Sequence, residues 1–247
     1  MVNHVNVIAH RGASHARPEN TLPAFEHAIE LGADLLEFDV RLTADGHAII
    51  MHDATVDRTT NGTGSVRSLT FDEIRELDAG MKHGTLYKDI RVPTLDEVLE
   101  LARPSGVGLD VQIYATEDSR DELTKAVVEA LNRYEYDDRA FLAAEEDVVL
   151  LARELDPKRP ICNLTGQRDA KSLDRNKKTG STIVQAFAKY VTPQFVEKAH
   201  KMGIVVNVFY ADHVTEMRRM LDNGVDGILT NEPEMLLRVL GRITDSP

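Results

Sequence analysis

Most of the side chains capable of polar chemistry stand in one stretch of the 247-residue chain, residues 7–53, VIAHRGASHARPENTLPAFEHAIELGADLLEFDVRLTADGHAIIMHD. An apolar run from Val5 to Ala9 ends on His10-Arg11-Gly12, so a general acid or base and a fixed cation emerge where a buried strand stops. Strand ends of this kind are where α/β proteins gather their ligands. Glu37 and Asp39 lie two residues apart in an apolar strand and so share one face. Two inward carboxylates in an apolar setting carry a heavy burial cost unless a cation neutralises them. Hard oxygen donors of this type fit a divalent ion, Mg²⁺ or Ca²⁺. Asp45-Gly46 is a hairpin signal, and a two-residue loop there makes paired positions sum to about 91. That register places His52 opposite Asp39 and yields one cluster: His10, Arg11, Glu37, Asp39 and His52.

The elements that must position these groups follow from periodicity. Leu22, Phe25 and Ile29 are helically spaced between Asn20-Thr21 and Gly32, which predicts a capped first helix with Asn20 as a candidate cap. Residues 54–91, rich in Thr, Gly and charge, read as an excursion above the remaining scaffold with one helix near Thr70–Leu77. From 94 onward helices and strands alternate: helices at 94–103, 119–133, 145–154, 168–178, 193–202, 213–223 and 233–240, and strands at 107–113, 139–143, 160–164, 181–186, 204–209 and 226–230. With strands at 5–9 and 34–40, and 47–51 as an antiparallel arm, eight parallel strands close as a (β/α)8 TIM barrel. The strand ends then carry His10, Glu37 and Asp39, Gln112, Glu145, Asn163, Gln185, Tyr210 and Asn231. Lys189 is the nearby second-half cation that could reach a substrate.

The motifs HRG, PENT, Glu-x-Asp, the T-x-D-G turn and HD, with DRTTNGTG at 57–64, VPTLDEVLE at 92–100 and GVDGILTNEP at 224–233, resemble the glycerophosphodiester phosphodiesterase family. The resemblance spans nearly the whole chain and implies a TIM barrel that hydrolyses glycerophosphodiesters to glycerol 3-phosphate and an alcohol. It implies catalytic roles for His10 and His52 as acid and base in unassigned order, with Arg11 stabilising the developing charge. Glu19 and Asn20, in PENT, would lie at the site rim and touch substrate or its supporting shell. The nucleophile would be a neighbouring glycerol hydroxyl, through a cyclic phosphate, or a metal-bound water. Aligned through Leu109, the family's Glu-x-Lys becomes Gln112 and Tyr114, so a neutral carbonyl would complete the metal's ligands beside Glu37 and Asp39, and a phenol would meet the phosphate. The family's Trp-Thr-Val-Asn is replaced by Val208-Phe209-Tyr210-Ala211, expected to shape the leaving-group pocket. Arg58 reads as a surface group paired with Asp53 or Asp57. A related or phospholipase D-like enzyme for another headgroup, and a catalytically impaired diester-binding barrel, are the competing readings.

The chain's length suits a single barrel domain. With 29 basic and 41 acidic residues its net charge is −12, which opposes non-specific nucleic-acid binding. A small anionic diester would instead be held by local charges. Cys162 is the single cysteine, so no intramolecular disulfide forms. Neither a signal peptide nor a run long enough to span a bilayer is visible, so the cytoplasm is the expected location.

Overall fold

The computed structural model describes residues 4–167, 169 and 171–244. Eight parallel strands form its centre: β1 (Asn6–His10), β2 (Leu35–Leu42), β4 (Gly108–Ile113), β5 (Ala140–Ala144), β6 (Ile161–Asn163), β7 (Ile183–Phe187), β8 (Val205–Phe209) and β9 (Gly227–Thr230). β1 pairs with both β9 and β2, which closes the sheet into the expected barrel. The arm β3 (Ala48–Ile50) pairs antiparallel with β2 and stays outside the closed ring. Near-continuous Val, Ile, Leu and Ala in these strands are what a parallel sheet covered on its outer face by helices requires.

Helices α1 (Leu22–Leu31), α3 (Leu95–Ala102), α4 (Arg120–Arg133), α5 (Glu146–Leu155), α6 (Ser172–Thr179), α7 (Pro193–Lys201), α8 (Val214–Asp222) and α9 (Pro233–Val239) alternate with the strands. Their bounds lie within a few residues of the sequence expectation. The expected start of α6 at 168 falls on a residue outside the described ones. α3 begins with a full capping box in which Thr94 and Glu97 satisfy each other's backbone N–H groups, which explains the VPTLDEVLE pattern.

The first helix departs from expectation at its cap. Thr21 occupies that position without a side-chain cap bond, and its hydroxyl donates to Pro18 O instead. Asn20 adopts a left-handed backbone (φ 56°), turning its amide away from the helix.

The hairpin also differs from expectation, and by one residue. Val40 faces Ile50 and Leu42 faces Ala48, so pairs sum to 90 and Asp39 lies opposite Met51, not His52. The cause is a three-residue loop, closed by Thr43 N–H to His47 O, with Gly46 in the left-handed region (φ 84°). His52 therefore lies past the end of β3 and needs another anchor.

The excursion contains α2 (Phe71–Arg75) and a small core of its own: Ile49, Met51, Val56, Val66, Ile74, Ala79 and Val92. Because Ile49 and Met51 belong to the hairpin arm, the excursion is packed onto the segment that leads into His52.

Candidate active site

His10 ends β1, and the turn after it is sterically demanding. Arg11 is left-handed (φ 56°), and Gly12 follows with φ 80°, where a Cβ would sit 2.6 Å from the Ala24 carbonyl carbon. Only glycine fits there, which is the physical content of the HRG motif. The strained Arg11 backbone lets its N–H donate to Glu37 Oε2 at 2.7 Å. Its guanidinium reaches Glu19 Oε1 at 2.7 Å and, through Nε, lies 3.3 Å from Asp39 Oδ2. Burial opposes the Arg11 charge, but Asp39, Glu19 and Glu37 outweigh it and hold the group firmly cationic.

β1, β2 and β4 run in register, so His10 neighbours Glu37, Glu37 neighbours Asp110, and Asp39 neighbours Gln112. All five are buried. Burial first, then Asp39 and Asp110, push the Glu37 carboxyl well above the usual carboxylate range. Asp110 is likewise pushed up, by burial, with Asp39 adding to it and a hydrogen bond from Gln185 opposing. Sequence reasoning missed Asp110. The signal was present, since 110 and 112 share a strand face, but the alignment drew attention to 112 and 114.

Across the barrel, Gln185 Nε2 donates to Asp110, and Gln112 Nε2 donates to Gln185 Oε1 at 3.4 Å. The Gln112 carbonyl is left facing the Tyr114 hydroxyl, which donates to it at 3.3 Å. Burial, then Asp39 and Glu37, raise the Tyr114 phenol well above its ordinary value, so it stays a hydrogen-bond donor.

Glu37 Oε1 and Asp39 Oδ1 are buried without a hydrogen-bond partner. Orphaned carboxylate oxygens on neighbouring positions of one strand face are unusual in a folded chain, and a cation is the partner that would satisfy both. Among the described residues no three His, Cys, Asp or Glu side chains converge as ligands of one ion. Asp110 Oδ1, on the neighbouring strand, is buried without a partner as well, and the Gln112 carbonyl accepts from Tyr114.

The PENT residues support these groups. Asn20 Nδ2 donates to Asp39 Oδ2 at 2.7 Å, fixing the carboxylate. Glu19 accepts from Arg11 and, at 2.6 and 2.8 Å, from Arg58. Although burial works against its charge, the two arginines hold Glu19 down at about 2. Through these bonds Glu19 holds Arg11 and Asn20 holds Asp39.

Arg58 pairs with Asp53, one of its two expected partners, at 2.7 Å, and with Glu19 as well. Asp53 in turn lies 2.6 Å from His52 Nδ1. The Arg58 hydrogen bond outweighs burial and, helped by His52, keeps the Asp53 carboxyl far below the usual range. The anchor that the hairpin register left unexplained is Arg41, whose Nε and Nη2 donate to His52 O at 2.8 and 2.6 Å. The same guanidinium lies 5.0 Å over the Tyr114 ring, which meets His52 edge to face at 5.2 Å.

His10 has different surroundings. Its Nδ1 lies 2.8 Å from Asn231 Oδ1, its Nε2 lies 3.9 Å from Glu37 Oε2, and Phe209 and Tyr210 pack on its ring. Burial, then Arg11, lower its pKa from 6.5 to about 4 despite Asp39 and Asn231. The ring is therefore neutral near pH 7.

Two cavities open at the rim. One of about 780 Å³ is lined by His52, Tyr114, Thr116, Arg120 and Glu145, and one of about 600 Å³ by His10, Arg11, Ser14, Tyr210 and Asn231. The Phe209-Tyr210 segment, expected to shape a leaving-group pocket, lines the cavity beside His10. Lys189 is not brought into the cluster: it is exposed, with its ammonium 4.7 Å over the Tyr190 ring.

The chain and its fold are similar to known proteins. The model of the glycerophosphoryl diester phosphodiesterase family matches residues 10–235. A glycerophosphodiester phosphodiesterase of Caldanaerobacter subterraneus subsp. tengcongensis is 35% identical over 95% of this chain and 97% of its own length. The solved structure of an Oleispira antarctica phosphodiesterase in complex with the product sn-glycerol-3-phosphate matches with a TM-score of 0.91 at 26% identity, over 96% of each chain. A putative glycerophosphoryl diester phosphodiesterase from Silicibacter pomeroyi matches with a TM-score of 0.88 at 26% identity, over 98% of this chain and 95% of its own.

Proposed function

We propose, from the premise that this chain belongs to the glycerophosphoryl diester phosphodiesterase family and is a glycerophosphodiester phosphodiesterase, that His10 is the general base and His52 the general acid of a metal-assisted cleavage yielding glycerol 3-phosphate and an alcohol. The observation that carries the division is the contrast between the two rings. His10 is buried beside Arg11, neutral down to about pH 4, and has an amide oxygen on Nδ1. His52 has the Asp53 carboxylate on Nδ1, which orients the ring, and it lines the larger cavity. A group ready to accept a proton thus stands on one side of the site, and a group ready to give one on the other.

The attacking hydroxyl gives its proton to His10 as its oxygen bonds to phosphorus: water as the attacker yields glycerol 3-phosphate directly, whereas the substrate's own glycerol hydroxyl yields a cyclic phosphate that a water, activated the same way, then opens to glycerol 3-phosphate. His52 delivers its proton to the departing alcohol oxygen as the P–O bond breaks. On this reading glycerol sits in the cavity with His10, Ser14 and Tyr210 and the headgroup in the one with His52 and Tyr114, so the Phe209-Tyr210 segment shapes the glycerol side and not the expected leaving-group pocket. The bound product in the Oleispira antarctica phosphodiesterase supports glycerol 3-phosphate as the product here.

Arg11 presents fixed positive charge to the phosphoryl group, and Tyr114 offers a neutral O–H to one of its oxygens. Glu37, Asp39 and the Gln112 carbonyl would hold a divalent cation, Mg²⁺ or Ca²⁺, since two orphaned carboxylate oxygens and one neutral oxygen suit a hard ion. Such an ion, when bound, polarises a phosphoryl oxygen and offsets the charge that develops on it. The acidic chain, with a local cationic group at the site, is suited to a small anionic diester.

The test is a metal-by-substrate hydrolysis screen over glycerophosphocholine, glycerophosphoethanolamine, glycerophosphoinositol and a chromogenic diester, with both products identified. Glycerol 3-phosphate release that is lost in His10→Ala and His52→Ala supports the reading. Release of free glycerol and a headgroup phosphate would overturn the product assignment. Absence of any turnover across the screen would favour the impaired barrel.

A further inference from the structure

We propose that Asp212 is a positioning residue which, through Asn231, keeps a hydrogen on His10 Nδ1 and so leaves Nε2 as the nitrogen that exchanges a proton at the reaction centre. The consequence for catalysis rests on His10 being the base, whereas the tautomer itself does not.

Asp212 lies between β8 and α8, and Asn231 just past the end of β9. Asp212 Oδ1 accepts from the Asn231 backbone N–H at 2.8 Å and from Thr230 Oγ1 at 2.9 Å, and its Oδ2 accepts from Asn231 Nδ2 at 2.6 Å. A carboxylate only accepts hydrogen bonds. Asn231 must therefore turn its NH₂ toward Asp212, because the flipped amide would set two oxygens 2.6 Å apart. With that end committed, the Asn231 carbonyl oxygen faces the Ser14 hydroxyl at 2.8 Å and His10 Nδ1 at 2.8 Å. That oxygen can only accept, so Nδ1 carries the hydrogen. The Phe209 and Tyr210 rings pack on the imidazole at centroid distances of 5.4 and 5.9 Å.

The carboxylate is essential to this logic. An asparagine alone presents either end of its amide with nearly equal ease, and the ring would follow whichever end it met. Asp212 breaks that symmetry from one residue away, without placing an anion on the ring. His52 has the opposite arrangement, with Asp53 directly on Nδ1. The intervening amide therefore orients the His10 ring.

The deciding experiment is two-dimensional ¹⁵N–¹H spectroscopy of the metal-free, ¹⁵N-histidine-labelled protein near pH 7, with the His10 ring assigned by its absence in His10→Gln. The expected result is the Nδ1–H tautomer. Asp212→Asn should give mixed tautomers and lower kcat by on the order of 10- to 100-fold with KM nearly unchanged, the usual scale for a group acting through a catalytic one. Asn231→Asp, which puts an acceptor-only group directly on Nδ1, should keep the Nδ1–H form. The exchanged pair Asp212→Asn with Asn231→Asp should keep the Nδ1–H form as well, since the carboxylate then stands on Nδ1 itself, so the discriminating readout is the tautomer of Asp212→Asn alone. An Nε2–H ring in the parent protein overturns the proposal, as does a folded Asp212→Asn whose tautomer is unchanged. If Asp212→Asn does not fold, Asp212→Ser serves the same readout, and an unchanged tautomer there overturns the proposal equally. An intact tautomer combined with full turnover in His10→Gln would instead defeat the catalytic reading and leave the positioning claim standing.

Discussion

Restoring the family's charged pair at positions 112 and 114 should work only when both changes are made together. Gln112→Glu places a carboxylate between Asp39, its strand neighbour, and Gln185, whose carbonyl oxygen now accepts from Gln112 Nε2. Gln185 cannot turn over to help, because its NH₂ is committed to Asp110. The single variant therefore adds negative charge to a region where burial and neighbouring acids already push Glu37 and Asp110 upward. It should tighten a divalent cation and weaken an anionic diester. Tyr114→Lys alone should do the reverse, with its ammonium near Arg41 and no new partner. The present side chains touch, with Tyr114 Oη 3.3 Å from Gln112 Oε1. Two unit charges about 4 Å apart at an effective dielectric near 20 attract by about 4 kcal/mol. Desolvating both consumes a large part of that. A net coupling of roughly 0.5–3 kcal/mol remains, the range expected for contacting residues, which is about 2- to 150-fold in kcat/KM beyond the product of the single effects. A double-mutant cycle on kcat/KM with one glycerophosphodiester at saturating Mg²⁺ reads this directly. Strict additivity would refute the reasoning, and Tyr114 would no longer stand in for a phosphate-binding lysine.

Glu37→Ala or Asp39→Ala should abolish activity by removing a charged ligand, and full turnover after verified metal removal by chelation would contradict the cation reading. The acid limb of kcat/KM should follow His10 down to about pH 4, so a limb near pH 6.5 would place the base elsewhere. The same depression has a stability sign: the folded pKa is below the unfolded one, so the contribution is full above about 6.5 and is lost as pH falls through about 4. His10→Asn should therefore lose less stability than the parent between pH 7 and 4, by on the order of 3 kcal/mol, as urea titrations at both ends would reveal. Arg41→Ala frees the His52 carbonyl, and kcat should fall on the order of 10- to 100-fold while diester affinity changes little; an equal loss in affinity would mean that Arg41 binds substrate.

The groups of the candidate site were legible in the sequence because each follows from a local rule. His10-Arg11-Gly12 closes an apolar strand, Glu37 and Asp39 share a face by the period of two, and strand–helix alternation from residue 94 implies a parallel barrel. What surrounds those groups was decided only by barrel closure. His10 finds Asn231, 221 residues away, because β1 pairs with β9. Asp110 and Gln112 meet Gln185 because β4 and β7 face each other across the interior. The acid-versus-base roles of the two histidines hang on such contacts, since a ring's protonation depends on burial and on the atom placed at Nδ1. The hairpin shows the limit of local rules as well. Asp45-Gly46 marked the turn, but loop length set the pairing, and a one-residue difference put Met51 in place of His52 opposite Asp39. Arg41, in β2 itself, then holds its carbonyl, a side-chain-to-backbone contact that sequence spacing alone does not encode.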